Sequence, residues 1–286
     1  MKNYISLMRL DKPIGFMLLF WPCAWGFGLS LSKQIIDKEW VSYLLLFFFG
    51  SILMRSAGCI YNDIIDRKID KKVKRTKNRP IASNKITLTH AWLLIFFLCF
   101  LSLAILFQFN LKAIIFGLSS GILILIYPFM KRISYWPQLF LGIVFNWGVI
   151  LSWLVLKNNI NFEVILLYIS AIFWTIAYDT IYGLQDIEDD IKIGVKSTAI
   201  KFNKNIKKFL TICFAISFVL LITSNALVIS KINIILILYL IPLGLLIYQI
   251  QSIDPKNNAR NLSLFKLNNY YGLSIFVIQI LTFRYA

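Results

Sequence analysis

Apolar residues run along this chain in blocks too long and too continuous for the helices or strands of a soluble domain. The stretches WVSYLLLFFFGSILM and AWLLIFFLCFLSLAILFQF carry no charge, and one bilayer crossing needs about 20 mostly apolar residues. On that measure the pattern predicts nine transmembrane helices, at 14–32, 41–61, 91–108, 111–128, 136–156, 162–184, 208–228, 232–250 and 266–283. Residues 1–286 are then one all-α, polytopic membrane domain, with a short polar break near Asn110 dividing the third and fourth spans.

The N-terminus imitates a secretory leader, with Lys2 and Arg9 ahead of an apolar run. Asp11 and Pro13 open that run and no small-residue cleavage pattern follows, so it is expected to stay as the first span. Cys23, Cys59, Cys99 and Cys213 fall on separate predicted helices without metal or redox spacing and read as packing residues.

Charge changes the picture in two ways. Only 15% of residues are charged, against about 25% in a soluble domain, yet the net charge is +17. Threading nine spans puts the N-terminus and the loops after spans two, four, six and eight on one side. That side holds 23 of the 30 lysines and arginines; six lie opposite, and Arg55 lies inside span two. This is the positive-inside bias. It predicts a cytoplasmic N-terminus and a C-terminus outside; the membrane itself is expected to be a bacterial inner membrane. The basic excess then records topology and contact with anionic lipid, not binding to nucleic acid.

The scarce acids are concentrated. In YNDIIDRKID they are Asp63, Asp66 and Asp70; four spans later, in AYDTIYGLQDIEDDIKIGVKS, they are Asp179, Asp186, Glu188, Asp189 and Asp190. Both clusters start just after a tyrosine at the cytoplasmic end of a span, which hints at two related halves, roughly 1–130 and 131–286. At 100° per residue, Asn62, Asp66 and Asp70 share a face, and Arg55 lies within roughly 20° of Asn62 on the same wheel. Asp179, Asp186 and Asp190 form a matching stripe. Like charges at that spacing repel, more so at a membrane boundary, so something cationic must sit against them. Neighbouring lysines could do this, and a calcium loop fits poorly because the alternating ligands and central glycine are missing. Mg²⁺ fits better: it binds through one or two carboxylates plus substrate phosphates. Arg67, Arg75, Arg79, Lys131, Arg132 and Lys196 could meet the phosphate oxygens. The substrate suited to acids and bases at a membrane surface is a diphosphate head on a hydrophobic tail.

NDIIDRKID, with DIEDD after YDTIYGLQ, resembles the paired aspartate motifs of the UbiA-type membrane prenyltransferases. RLDKPIG, LLFWP, LMRSAGCIYND, KRTKNRPIAS, YPFMKR and KLNNYYG follow in order from Arg9 to Gly272 and are similar to the 4-hydroxybenzoate polyprenyltransferase branch. The resemblance implies nine helices around a central cavity. It implies Mg²⁺ at both motifs, and transfer of a polyprenyl group from polyprenyl diphosphate to 4-hydroxybenzoate in ubiquinone biosynthesis. It assigns Asn62, Asp63, Asp66, Asp70, Asp179, Asp186 and Asp190 to metal, with Asp63, Asp66, Asp70, Asp186, Asp190 and Lys131 catalytic. Substrate contacts would come from Arg55, Asn62, Arg67, Arg75, Arg79, Tyr178, Asp179, Asp189, Lys196, Asn268 and Asn269. Gly183 departs from the alanine more common in the family.

Departure of diphosphate leaves a cation-like allylic carbon that a dry cavity must protect. Faces such as Phe16, Trp21, Trp147, Trp174 or Tyr178 could stabilise it, although packing accounts for most aromatics. The base that takes the ring proton could be Asp190, Asp189 or released diphosphate. A charge inside a span is functional by default, so Arg55 points to the acceptor end of the cavity, with an ion pair to Asp63 or Asp66 as the plainer reading. Asn268 and Asn269 suit either interhelical hydrogen bonds or the cavity wall; His90 reads as interfacial. Competing functions are transfer to another acceptor (homogentisate, dihydroxynaphthoate or haem), a transporter, and a purely structural membrane protein. A transporter would carry its acids near span midpoints.

Overall fold

The computed structural model describes residues 1–31, 36–73, 75–228 and 234–285. Lys33 and Lys231, counted above for topology, and the edges of the first and eighth predicted spans lie outside them. The described residues form helices and turns without a strand. A short α1 (Lys2–Leu7) precedes α2 (Ile14–Ser30) and α3 (Lys38–Ile65), which runs into the single turn α4 (Arg67–Asp70). After a looped segment come α5 (Leu88–Leu106), α6 (Leu111–Ile126) and the turn α7 (Met130–Ile133). Helices α8 (Pro137–Phe145) and α9 (Trp147–Lys157) occupy one predicted span, and α10 (Phe162–Gly183) the next. Two short helices, α11 (Ile187–Ile193) and α12 (Thr198–Lys201), lead to α13 (Ile206–Val228), α14 (Leu240–Ser252) and α15 (Asn258–Tyr285).

Side-chain caps set several of these starts. Asp37 accepts from the Trp40 amide, Thr87 from His90, Asn110 from Ala113 and Ser197 from Ile200, each satisfying an orphan N–H of a first turn. Pro137 occupies the first turn of α8, where its missing donor costs nothing.

A helix stands at every predicted span, but the expected count of nine crossings is not met by length and composition. Among the described residues six helical segments are long and apolar enough to cross a bilayer. The segments Ile14–Ser30 and Ile237–Ser252 are apolar but shorter. At 1.5 Å per residue the 17 residues of α2 reach about 25 Å, short of the ~30 Å hydrocarbon core. Helix α15 carries Arg260, Lys266, Asn268 and Asn269 and is not among the six.

Helix α10 is the hub. An 18-residue apolar stretch of its segment is 72% buried and the helix packs against α8, α13 and α15, while α2 lies against α3, α9 and α15. Helices α5 and α6 form the rim: Phe96, Phe100, Ile115 and Ile122 stand exposed, an apolar face matched to lipid. Tails of lipid are as apolar as leucine, so close packing and hydrogen bonds hold such helices together. Side chains built on Gly26 or Gly148 would collide with Ser152 and Val149, or with Cys23, so these glycines let α2 and α9 touch. Trp25, Trp174 and Tyr271 cluster with ring centroids 4.8–6.1 Å apart, their indoles donating to the Gly272 carbonyl and to Asn268 Oδ1. Asn146, at the α8–α9 break, donates Nδ2 to the carbonyls of Gly142 and Ala171 and to Thr175 Oγ1. Polar groups in a membrane interior require such internal partners.

Candidate active site

A cavity of about 1300 Å³ runs between α2, α3, α5, α6, α8, α9, α10 and α15. At one end it meets both aspartate clusters and the basic loops; elsewhere Leu103, Leu106, Leu118 and Leu151 line it.

The first cluster spans a helix end. Asp66 caps α3 with its amide on the Asn62 carbonyl, and Asp70 N–H returns to the Asp66 carbonyl, so the motif turns while keeping near-helical register. Asp63 is 2% exposed and accepts from Arg9 Nη2 on both oxygens, at 3.0 and 2.9 Å, and from Arg79 Nη1 at 3.0 Å. Arg79 Nη1 also reaches Asp70, at 2.9 and 3.1 Å. Burial pushes the Asp70 carboxyl up, against the pull of Arg79. Asp66 is fully buried and pairs with Lys131 Nζ and, at 3.4 Å, with Arg132 Nη2.

The second cluster is held from across the molecule. Arg75 donates Nε and Nη2 to the two oxygens of Asp186 at 2.7 and 2.5 Å and Nη1 to the Tyr182 hydroxyl at 2.7 Å, with its Cζ 5.3 Å from the Tyr182 ring centroid. Burial opposes the Arg75 charge, but Tyr182 and Asp186 outweigh it and raise the guanidinium above its ordinary value. The Lys196 amide bonds the Lys131 carbonyl and its Nζ the Ile133 carbonyl, which ties the α11–α12 loop to α7.

Most of the expected site residues do converge. Arg55, Asn62, Asp63, Asp70, Arg75, Arg79, Lys131, Tyr178, Asp179, Asp186, Asp190, Lys196 and Asn269 all line the cavity. Asp66 lies behind the wall and reaches it through Lys131. Arg67 turns away to Asn84 Oδ1, and Asp189 is not part of the lining. Asn268 is buried between Trp174 and Gln249, a structural network, whereas its neighbour Asn269 faces the cavity and accepts from Trp21 Nε1. The plainer reading of Arg55 does not hold either. Among the described residues Asp63 and Asp66 pair with other cations, and Arg55 instead lies over the Phe145 ring.

Of the five aromatics considered for the allylic cation, Trp147 and Tyr178 line the cavity. Phe16 packs on Phe48, Trp21 on Phe20, and Trp174 in the indole cluster. His90 is exposed at the start of α5. Sequence reasoning gave no site role to Arg9, Tyr182 or Phe145. Arg9 stood inside the quoted RLDKPIG, but only the fold reveals its reach to Asp63, 54 residues away.

The donors facing the cavity are carboxylate and carboxamide oxygens, a set that suits a hard divalent cation. Among the described residues no three His, Cys, Asp or Glu side chains gather to hold a metal alone.

Comparison with known proteins is consistent with this architecture. Over 211 residues the chain is 47% identical to a mitochondrial 4-hydroxybenzoate polyprenyltransferase of Drosophila pseudoobscura pseudoobscura, covering 73% of this chain and 53% of the relative. It thus spans about half the length of that protein. The Caenorhabditis elegans protein of the same name is 39% identical over 277 residues, 96% of this chain and 77% of the relative. Among solved structures, the apo form of a UbiA homolog from Aeropyrum pernix K1 superposes with a TM-score of 0.76 at 24% identity, over 93% of this chain and 97% of that one. A UbiA homolog from Archaeoglobus fulgidus bound to DMAPP and Mg²⁺ gives 0.64 at 20% identity, over 96% and 99%. The model of the UbiA prenyltransferase family matches residues 19–270, a stretch that contains most of the cavity lining and both aspartate clusters, and the chain is a member of that family.

Proposed function

We propose that this membrane protein transfers a polyprenyl group from polyprenyl diphosphate to the ring of 4-hydroxybenzoate, releasing diphosphate, as a step of ubiquinone biosynthesis. The observation that carries the reading is a single cavity joining two acid clusters, inward-facing cations and an apolar chamber. The name shared by the curated relatives supports the acceptor. The chain is read as one domain of two related halves in a bacterial inner membrane, its acid clusters on the cytoplasmic side.

Mg²⁺ ions would be held at two sites, one served by Asn62, Asp63, Asp66 and Asp70 and the other by Asp179, Asp186 and Asp190, and would supply charge neutralisation for the leaving diphosphate; Asp66 takes part where Lys131 leaves it for the substrate. The metal-bound Archaeoglobus fulgidus homolog supports that choice. Arg75, Arg79, Lys131 and Lys196 line the cavity and are the cations that would meet the phosphate oxygens. Arg75 and Lys131, which now neutralise Asp186 and Asp66, are the groups that turn to the substrate. The C–O bond to diphosphate breaks, and Trp147 and Tyr178 offer ring faces to the allylic carbon in a chamber that keeps water out. The phenol ring, its carboxylate held by Arg55, forms the new C–C bond. Its displaced ring proton leaves to Asp190, which lines the cavity, or to the released diphosphate; Asp189, outside the lining, is the less favoured of the expected bases.

Membranes containing the protein, with Mg²⁺, radiolabelled polyprenyl diphosphate and 4-hydroxybenzoate, test the assignment. A prenylated aromatic acid is the expected product. If label appears only on homogentisate or dihydroxynaphthoate when these are offered, the acceptor is wrong; if none takes it, the reaction is.

A further inference from the structure

Gly15 closes the RLDKPIG segment, and nothing in the reaction described so far uses it. Its position in the first turn of α2 is ordinary helix. Among the described glycines the only positive φ belongs to Gly194, so the backbone at Gly15 would accept any residue. What it would not accept is the neighbour. A Cβ built on Gly15 would stand 2.9 Å from Arg55 Nε, 3.4 Å from its Nη2 and 3.6 Å from its Cζ. The same guanidinium has its Cζ 5.0 Å from the Phe145 ring centroid, and all three residues line the cavity. Arg55 Nε is buried without a hydrogen-bond partner among the described residues.

We propose that Gly15 is a positioning residue for acceptor recognition. Its missing side chain leaves the space in which the Arg55 guanidinium rests, against the Phe145 ring, at the place where it receives the carboxylate of an aromatic acid. This rests on the acceptor role given to Arg55 above. A planar guanidinium gains its affinity for carboxylate from a fixed two-pronged geometry, so its placement matters as much as its charge. The first atom a new Cβ meets is near the end of a long, flexible side chain rather than backbone. Arg55 is therefore what yields, and the helix does not. Alanine also favours a helix over glycine by about 0.5–1 kcal/mol, so Gly15→Ala folds.

The test uses the full chain in detergent or nanodiscs: wild type, Gly15→Ala, Arg55→Ala and the double variant. Equilibrium dialysis gives Kd for 4-hydroxybenzoate, and kinetics give KM for acceptor and for polyprenyl diphosphate separately. Gly15→Ala is expected to weaken the acceptor about tenfold, the size of one charged hydrogen bond lost, with the diphosphate KM unchanged. In the Arg55→Ala background it adds nothing, because the group it displaces is gone. Unchanged acceptor binding in Gly15→Ala, equal losses for both substrates, or a full extra loss in the double variant each overturn the role of Gly15. If Arg55→Ala itself keeps its acceptor affinity, the acceptor role of Arg55 falls instead.

Discussion

Arg9 adopts a left-handed backbone with φ of 58°, unusual for a residue with a side chain. From there it donates to the Ser6 carbonyl and to both oxygens of the buried Asp63. Removing one partner of a buried pair strands a charge. Arg79 still holds Asp63, so Arg9→Gln is expected to lower stability by about 1–3 kcal/mol, read by thermal unfolding in detergent; an unchanged Tm would show that Arg79 suffices. Asp66→Asn and Asp186→Asn should each nearly abolish turnover while the protein still inserts. Normal turnover in either would remove that residue from the proposed metal site. The acid clusters themselves were legible in the sequence, because carboxylates at a span end stand out against apolar neighbours; their proposed role came from the family resemblance. Their partners were not legible. Reach across tens of residues depends on which helices become neighbours, and no local pattern records that.

Among the elements, the polar break expected near Asn110 proves to be the cap of α6, whereas the caps at Asp37 and Thr87 were not singled out in the sequence. Nor was the division of the fifth span into α8 and α9. Asn146 sits inside an otherwise apolar run, and its meaning emerges only with the three acceptors it finds on α8 and α10. Helices α2 and α9 depend on bare backbone at their contact. Gly148→Leu would thrust a side chain into Cys23, and overpacking of this kind costs about 1–3 kcal/mol. A lower midpoint of unfolding is expected. The equivalent change at Gly121, where a Cβ meets nothing within 4 Å, should leave the midpoint near wild type.

For the molecule as a whole, the lopsided charge predicts two chemically different faces. Lys85 and Lys112 are both exposed and are assigned by that charge pattern to opposite faces. In sealed vesicles a maleimide that does not cross membranes should label only one of Lys85→Cys and Lys112→Cys; labelling of both would refute the topology. Among the described residues three salt bridges cross between the two parts of the chain, in both directions: Arg75 reaches forward to Asp186, while Asp66 waits for Lys131 and Arg132. This reciprocity bears on how the protein is made. A nascent chain that has emerged only as far as Phe129 holds Asp66 without either of those cations and Arg75 without its acid. A half-built protein therefore lacks the final partners of both residues, and only the basic loop that follows Asp66 can offset its charge until the later helices have been made and packed.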